Sequence, residues 1–456
     1  MPLLVEGGLF VINRVAEWIS SRSYVIDGRS IAYLVDEKQH VSLLLKDDWA
    51  SVWSFILSGT EINDIMSFCS KNGIDEDLLE QFICVLRKYG ILHSFSQPFI
   101  SSIDKTYQAI NNSAQEFRIF QKEMSDWFVQ NNLMQSLFIE LTNNCNEACL
   151  HCSNVRGTKE ITFLEAKKII DEAFSLGVLF VTLSGGECTL NKDFIKIAKY
   201  VRQKRLALKI FTNGQTLYDD EELFNEIIKI YPHQISLSLY SLNAEIHDKI
   251  TGVVGSQQKT LYIIEKLLKN NVSVEIKCFL SSLNADSFID VQNFAENVGA
   301  SIALDCTFIN NPNRNNKYME VTDQQLFKIY SDQKSLLTAK RDFPEIDEKF
   351  LDSTVCRIGK NGLSIGPDLN IYACIISEIL LGNAKKDSLA EIWKSKKLQE
   401  IKQIKNKDRL RCFKHDYCKF CNYCLGIPQI NNRPLQDYDL FCRQAKIKMK
   451  AQKESI

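Results

Sequence analysis

Between residues 137 and 330 the chain alternates short β-prone runs with helical stretches, and this alternation limits the fold more than any other feature of the chain. "SLFIELT" precedes "FLEAKKIIDEAFSLG", "LFVTLSG" precedes "DFIKIAKYVRQKR", and "LALKIFTNG" precedes "DDEELFNEIIKIY"; "QISLSLYS", "VSVEIKCFL" and "SIALDCTFI" carry the pattern on. Strands separated by helices pair in parallel, because an antiparallel neighbour would need only a tight turn. A βα barrel, or part of one, is expected. Chemistry in such folds collects at the C-terminal ends of the strands.

Directly after the first strand stands "NNCNEACLHCSN", with Cys145, Cys149 and Cys152. A structural zinc site takes four ligands, commonly as two separated pairs. Cys149 and Cys152 alone could form a redox pair, which leaves Cys145 without a role. Three thiolates on one loop can instead hold three irons of a [4Fe–4S] cube and leave the fourth iron open to a substrate or cofactor.

Composition narrows the partners. The chain has 456 residues, with 55 Lys and Arg against 56 Asp and Glu, so wholesale binding to nucleic acid or an anionic membrane is not expected. The N-terminus "MPLLVEGGLFVINRVAEW" lacks a basic region, and no apolar run reaches membrane-spanning length, so a cytoplasmic protein is expected. Fifteen cysteines are many for that compartment, where disulfides rarely persist, and metal ligation is the leading explanation. Cys69, Cys84, Cys188, Cys278 and Cys306 are scattered, and buried apolar thiols are expected there.

Residues 1–95 read as a winged-helix-like unit: "YVIDGRSIAYLV" with a turn at Asp27-Gly28, the strand "HVSLLL", then "DDWASVWSFILSG", "TEINDIMSFCSKNG" and "DEDLLEQFICVLRKYG" as helices. This segment holds 8 Lys and Arg against 13 Asp and Glu, and its third helix opens "DEDLLE". An acidic start does not suit a helix that faces phosphates, so an extended peptide added to a sheet edge is the better partner. Residues 96–136 read as a linker or bridging helix, 331–355 as a helical spacer, and 356–456 as a cysteine-dense region with a hairpin, "GLSIGPDLNIYAC", and a helix, "SLAEIWKSKKLQEIKQIK".

Cys-x3-Cys-x2-Cys after the first barrel strand resembles the signature of radical S-adenosylmethionine enzymes, with His151 where relatives usually carry an aromatic residue. "LSGGEC" matches the family's Gly-Gly-Glu, "FTNG" the end of the third strand and "SLSLYS" the end of the fourth. The resemblance implies that Gly185, Gly186, Glu187, Asn213 and Ser238 contact S-adenosylmethionine, with Glu187 accepting from the methionyl ammonium. Relatives often place an Arg shortly after "HD"; here Thr251 stands there. It also implies reductive cleavage of the cofactor and hydrogen abstraction from an unactivated C–H by a 5′-deoxyadenosyl radical.

The C-terminal cysteines resemble the SPASM extension of peptide-modifying radical enzymes, which holds two auxiliary [4Fe–4S] clusters; one or two zinc ribbons are the alternative. The resemblance implies Cys412, Cys418, Cys424 and Cys442 at a distal cluster and Cys356 and Cys374 at a proximal one. Cys421 is available to the latter, because Ile427 stands where relatives supply a further ligand. The N-terminal unit resembles the peptide-recognition element of ribosomal-peptide maturases. The expected whole is an α/β protein: a partial (β/α)6 radical SAM barrel between a winged-helix-like recognition domain and a SPASM domain. Its expected work is to crosslink a precursor peptide (thioether, C–C or ether) or epimerise a residue, with three [4Fe–4S] clusters and an external electron donor of flavodoxin or ferredoxin type. A maturase of a folded protein, of sulfatase or quinoprotein type, is an alternative, and an iron–sulfur DNA-binding regulator a remote one. Tyr240, Asp305 and Cys306 are the residues expected near the substrate.

Overall fold

The computed structural model describes residues 15–26, 29–38, 40–60, 62–74, 76–88, 91–92, 124–154, 156–307, 316–332, 346–377, 379–408, 415–421, 423–426 and 439–454. These fall into two compact units, 1–127 with 201–207, and 128–200 with 208–456. The Asp27-Gly28 turn, most of the 96–136 linker, and Cys412 lie outside the described residues.

In the first unit, β1 (Ile19–Ile26), β2 (Arg29–Asp36) and β3 (Val41–Lys46) form an antiparallel sheet in that order. Helices α1 (Asp48–Ser58), α2 (Ile62–Lys71) and α3 (Glu76–Lys88) follow. Val52, Trp53 and Ile56 of α1 recur at helical spacing and are buried with Leu34, Leu79, Phe82 and Leu86 in one core. Gly59 ends α1 at φ 72, a left-handed conformation that a glycine adopts without strain. The Trp53 indole N–H, buried by this packing, donates to Ser21 Oγ at 2.8 Å, so the polar tip of the ring is satisfied. Cys84 is exposed, against the expectation of burial. It lies on the face of α3 away from Leu79, Phe82 and Leu86, which carry the apolar stripe.

In the second unit a nine-stranded sheet runs β12-β11-β10-β4-β5-β6-β7-β8-β9. The barrel strands are β4 (Ser136–Glu140), β5 (Phe180–Ser184), β6 (Ala207–Thr212), β7 (Gln234–Ser238), β8 (Val274–Phe279) and β9 (Ser301–Asp305). The pairs β4–β5, β6–β7, β7–β8 and β8–β9 are parallel. Helix α4 (Phe163–Ser175) crosses from β4 to β5 and opens with a capping box between Thr162 and Glu165. Its residues Ala166, Ile169, Ile170 and Ala173 are buried. This is the six-strand α/β partial barrel of the sequence reading.

The sheet does not stop at the barrel. β10 (Gly362–Ile365) pairs with β4 in parallel, Gly362 level with Ser136, and β11 (Asn370–Tyr372) and β12 (Leu380–Asn383) continue it antiparallel. The hairpin of the cysteine-dense region is therefore an extension of the barrel sheet. A Cβ on Gly362 would meet the Ser136 carbonyl at 2.1 Å, so only glycine admits that closeness at the seam.

Candidate active site

The cysteine loop follows β4 at the C-terminal end of the barrel strands. Its backbone is pinned from three sides. Ala148 N–H donates to Thr251 O at 2.7 Å and Leu150 N–H to Ile250 O at 2.8 Å, at the end of α5 (Ala244–Thr251). Asn213 Nδ2 donates to Asn146 Oδ1 at 2.7 Å. Gly186 N–H donates to Thr142 O at 2.7 Å and Glu187 N–H to Asn144 O at 2.8 Å.

The two glycines of "SGGE" owe their identity to that last contact. A Cβ on Gly185 would lie 2.3 Å from Thr142 O, and one on Gly186 would lie 2.3 Å from Asn144 O. Gly185 also has φ 145. The close approach is to the cysteine loop's own backbone, which locks the second strand end against the first.

Glu187 is 1% exposed and its carboxylate is already well served. Oε1 accepts from Thr189 N–H at 3.1 Å, Thr189 Oγ1 at 2.7 Å and Thr212 Oγ1 at 2.8 Å, and Oε2 accepts from Asn213 N–H at 2.7 Å. It is not among the residues lining the site cavity. The side chain clamps the ends of β5 and β6 together. The cause is local, since Thr189 and Thr212 present hydroxyls on the inner side of the turn.

The cavity measures about 340 Å³. Cys145, Cys149, Cys152, Gly185, Gly186, Asn213 and Ser238 line it, as do Tyr240 and Asp305. Thr251 is not among its lining residues; its hydroxyl lies 2.7 Å from Ser256 Oγ. Cys306 is buried beside the Tyr330 hydroxyl at 3.5 Å and is not among the lining residues either. The sequence reading missed Lys277 and Phe279, which alternate inward with Glu275 on β8. A charged residue at every second position of an otherwise apolar strand was the available signal. Lys277 Nζ lies 3.0 Å from Glu275 Oε2 and 4.4 Å from the centre of the Phe211 ring. Lys277 and Arg156 are the cations of the lining.

His151 fits its place. Its ring stacks on Phe279 with centroids 4.8 Å apart and meets Tyr240 edge-on at 4.8 Å. Tyr240 N–H donates to His247 Nδ1 at 3.2 Å, and His247 is wholly buried. Burial lowers the His247 pKa to about 4. In the unfolded chain that imidazole titrates at its ordinary value near 6.5, so its neutral form supports the fold above that pH. The support is lost progressively as pH falls from there toward 4. Melting curves recorded across this range are expected to show a pH slope that His247→Gln reduces.

The thiols form a soft donor set held out of water. Burial pushes Cys145 up to about 11 and Cys149 well above its ordinary value, the Glu147 carboxylate adding to the latter. Cys149 Sγ lies 3.3 Å from Glu147 Oε2, and Glu147 N–H points at Cys145 Sγ at 3.5 Å. Thiols protonated in the bare chain ionise when a metal binds. Among the described residues no three His, Cys, Asp or Glu converge as ligands of one ion. A cube takes one thiolate per iron, so its ligands stand around a volume. The donor set, the cavity and the glycine-sealed wall fit an iron–sulfur cube with a small-molecule ligand beside it.

The C-terminal cysteines are grouped differently from the sequence expectation. Leu425 and Ile358 N–H groups donate to Cys356 Sγ, and the neighbouring Cys424 and Cys374 thiols add to the burial that raises its pKa. Ile376 and Ile375 N–H groups donate to Cys374 Sγ, again with Cys424 beside it. Gly359 N–H donates to Ala373 O at 2.9 Å, and a Cβ on Gly426 would lie 2.6 Å from Ile376 O. Cys424 therefore stands with Cys356 and Cys374, not in the distal group. Cys418 and Cys421 lie on and just after the 3-10 turn Asp416–Phe420. Lys446 of the C-terminal helix Asp439–Glu454 sits over the Tyr417 ring at 5.1 Å. Cys442, one helical turn earlier, shares that face.

Residues 139–295 match the radical SAM superfamily and residues 356–425 the SPASM iron–sulfur cluster-binding domain. Among curated proteins, the AdoMet-dependent heme synthase of Methanosarcina barkeri is 27% identical over 62% of this chain and 89% of its own length. The subtilosin biosynthesis protein AlbA of Bacillus subtilis is 28% identical over 63% of this chain and 65% of its own. Among solved structures, SuiB of Streptococcus suis bound to its precursor peptide SuiA superposes with a TM-score of 0.52 at 17% identity, covering 90% of this chain and 95% of SuiB.

Proposed function

This chain is a radical S-adenosylmethionine enzyme with a SPASM domain, and from that premise we propose that it matures a ribosomally made precursor peptide. In this reading the N-terminal unit holds the leader of the peptide while the barrel modifies its core. The observation that carries the reading is the likeness to SuiB, whose structure holds a precursor peptide. Residues 128–456 make up under three quarters of the chain, so a match covering 90% of it reaches into the N-terminal unit. The heme synthase, by contrast, is matched over 89% of its length by only 62% of this chain, which leaves a large part of the chain without a counterpart there. A strand at the edge of a small antiparallel sheet offers unpaired N–H and C=O groups to an extended peptide, and β3 is such a strand.

Cys145, Cys149 and Cys152 would hold three irons of the cube, and Gly185, Gly186, Asn213 and Ser238 would wall the cofactor. When bound, the cluster and S-adenosylmethionine supply a carbon radical able to take a hydrogen from an unactivated C–H. The chain's part is to orient and to exclude water: His151, Tyr240 and Phe279 form an aromatic wall. Lys277 supplies a cation for the cofactor's carboxylate, the role left vacant by Thr251. Lys277→Met is expected to weaken S-adenosylmethionine binding about tenfold, the effect of one charge-assisted hydrogen bond. Equilibrium dialysis on the reconstituted protein measures it, and an unchanged affinity removes Lys277 from this role. The external electron donor of flavodoxin or ferredoxin type belongs to the same proposal. No described helix is long and apolar enough to cross a membrane.

Hydrogen exchange tests the recognition step. Adding the leader peptide is expected to slow exchange across Val41–Lys46, and prolines placed through the leader are expected to abolish that protection, because proline lacks the N–H that a ladder needs. Protection confined to the second unit would refute leader binding at β3.

A further inference from the structure

Lys402 is 5% exposed, and a lysine is almost never so buried without a counter-charge. Its ammonium donates to Asn132 Oδ1 at 3.0 Å and sits over the Trp393 ring at 3.6 Å. Lys360, half-buried, donates to Thr354 Oγ1 at 2.8 Å. Burial, with the charge of Lys360 added to it, lowers the Lys402 pKa to about 8. Burial lowers Lys360 as well, and the Cys356 thiol opposes that shift. Among the described residues neither ammonium has a carboxylate partner. The lysines around Lys402 do: Lys396 reaches Glu400 at 3.8 Å, and Lys405 and Lys407 reach Asp352 at 3.5 and 2.8 Å. A buried ammonium without an anion is costly, and here two stand close enough for one to depress the other.

The packing places an anion beside them. Val355 N–H donates to Ile404 O at 3.1 Å, and Thr354 bridges to Lys405, so the chain entering Cys356 runs along the residues just past Lys402. A Cβ on Gly359 would meet Leu398 Cδ1 at 2.5 Å and Ala373 Cβ at 3.7 Å. The turn that carries Cys356 and Lys360 is therefore seated between the helix Lys396–Lys402 and the residue before Cys374. Cys356 Sγ and Cys374 Sγ each receive two backbone N–H groups, which favours their thiolates.

We propose that Lys360 and Lys402 are the counter-cations of the iron–sulfur cluster held at Cys356, Cys374 and Cys424, and that they make this cluster easier to reduce than its cysteines alone would. A protonated lysine has no lone pair for iron, so both act through charge. Reduction adds one negative charge to the cluster. Fixed cations beside it stabilise the reduced form more than the oxidised one, and the N–H groups on its sulfurs act in the same direction. The proposal rests on the SPASM assignment and not on the identity of the substrate.

The test is an EPR-monitored potentiometric titration of the full reconstituted chain, without substrate. Cys374→Ala identifies the wave of this cluster as the one it removes. Lys402→Met is expected to move that wave to more negative potential, Lys360→Met to move it the same way, and the double variant to move it further than either. Lys402→Arg keeps the charge and is expected to hold the wave near its wild-type position, while the waves of the other clusters stay in place throughout. Should Lys402→Met fail to fold, Lys360→Met at the less buried position carries the test. A wave unmoved by the loss of either lysine, one moved as far by Lys402→Arg as by Lys402→Met, an equal displacement of every wave, or the absence of any wave that depends on Cys374 each overturns the proposal. No peptide enters this titration, so failure of the maturase reading would appear separately, as a chain with the shifted wave but no peptide product.

Discussion

Alanine at any one of Cys145, Cys149 or Cys152 is expected to abolish conversion of S-adenosylmethionine to 5′-deoxyadenosine while leaving the auxiliary clusters in place. Each thiolate would hold one iron, and the loop has no spare thiol: Glu147 is its one acidic residue, and its carboxylate already faces Cys149. Loss of one thiolate leaves a second iron without a protein ligand and an unstable cube. Iron content is expected to fall from about twelve to about eight per chain, four for each cube retained. Full cleavage by any of the three variants would remove the loop from the chemistry. A fall to near zero iron would show instead that the auxiliary sites depend on the barrel cluster.

Gly186→Ala is expected to cost nearly as much, although it deletes no ligand. The added Cβ would sit 2.3 Å from Asn144 O, and a backbone carbonyl cannot swing aside as a flexible side chain can. The cysteine loop must move, taking with it the Gly186–Thr142 and Glu187–Asn144 hydrogen bonds. Overpacking of this kind destabilises by about 1–3 kcal/mol. A lower melting temperature and a tenfold or greater loss of S-adenosylmethionine affinity are expected together. Glu187→Gln is predicted to behave differently. It keeps the shape but turns one oxygen into an N–H that faces donors, either Asn213 N–H or the hydroxyls of Thr189 and Thr212. Its main effect is expected on thermal stability. If Glu187→Gln lost cofactor affinity with no change in melting temperature, the carboxylate would touch the cofactor after all.

The barrel was legible because its signal is periodic and local. Each strand and helix between 137 and 330 carries its own pattern, and the cysteine loop falls where that pattern places a catalytic mouth. The seam between β10 and β4 was not legible, since it joins residues 226 positions apart and rests on one glycine fitting against Ser136. The placement of Cys424 beside Cys356 and Cys374 was hidden for a similar reason, since it joins residues 68 and 50 positions apart. The hydroxyls that hold Glu187 were not legible either: they come from Thr189, two residues on, and Thr212, twenty-five residues on. Lys277 could have been found, because its strand alternates Glu275, Lys277 and Phe279 on one side.

Mass spectrometry of a small precursor peptide encoded near this protein, incubated anaerobically with the reconstituted enzyme, reductant and S-adenosylmethionine, tests the account most directly. The account predicts 5′-deoxyadenosine formed in step with a peptide that has lost two hydrogens or gained an inverted stereocentre, and no product without the leader. Cofactor cleavage that leaves the peptide unchanged, with product appearing on a folded protein or a small molecule instead, would contradict it.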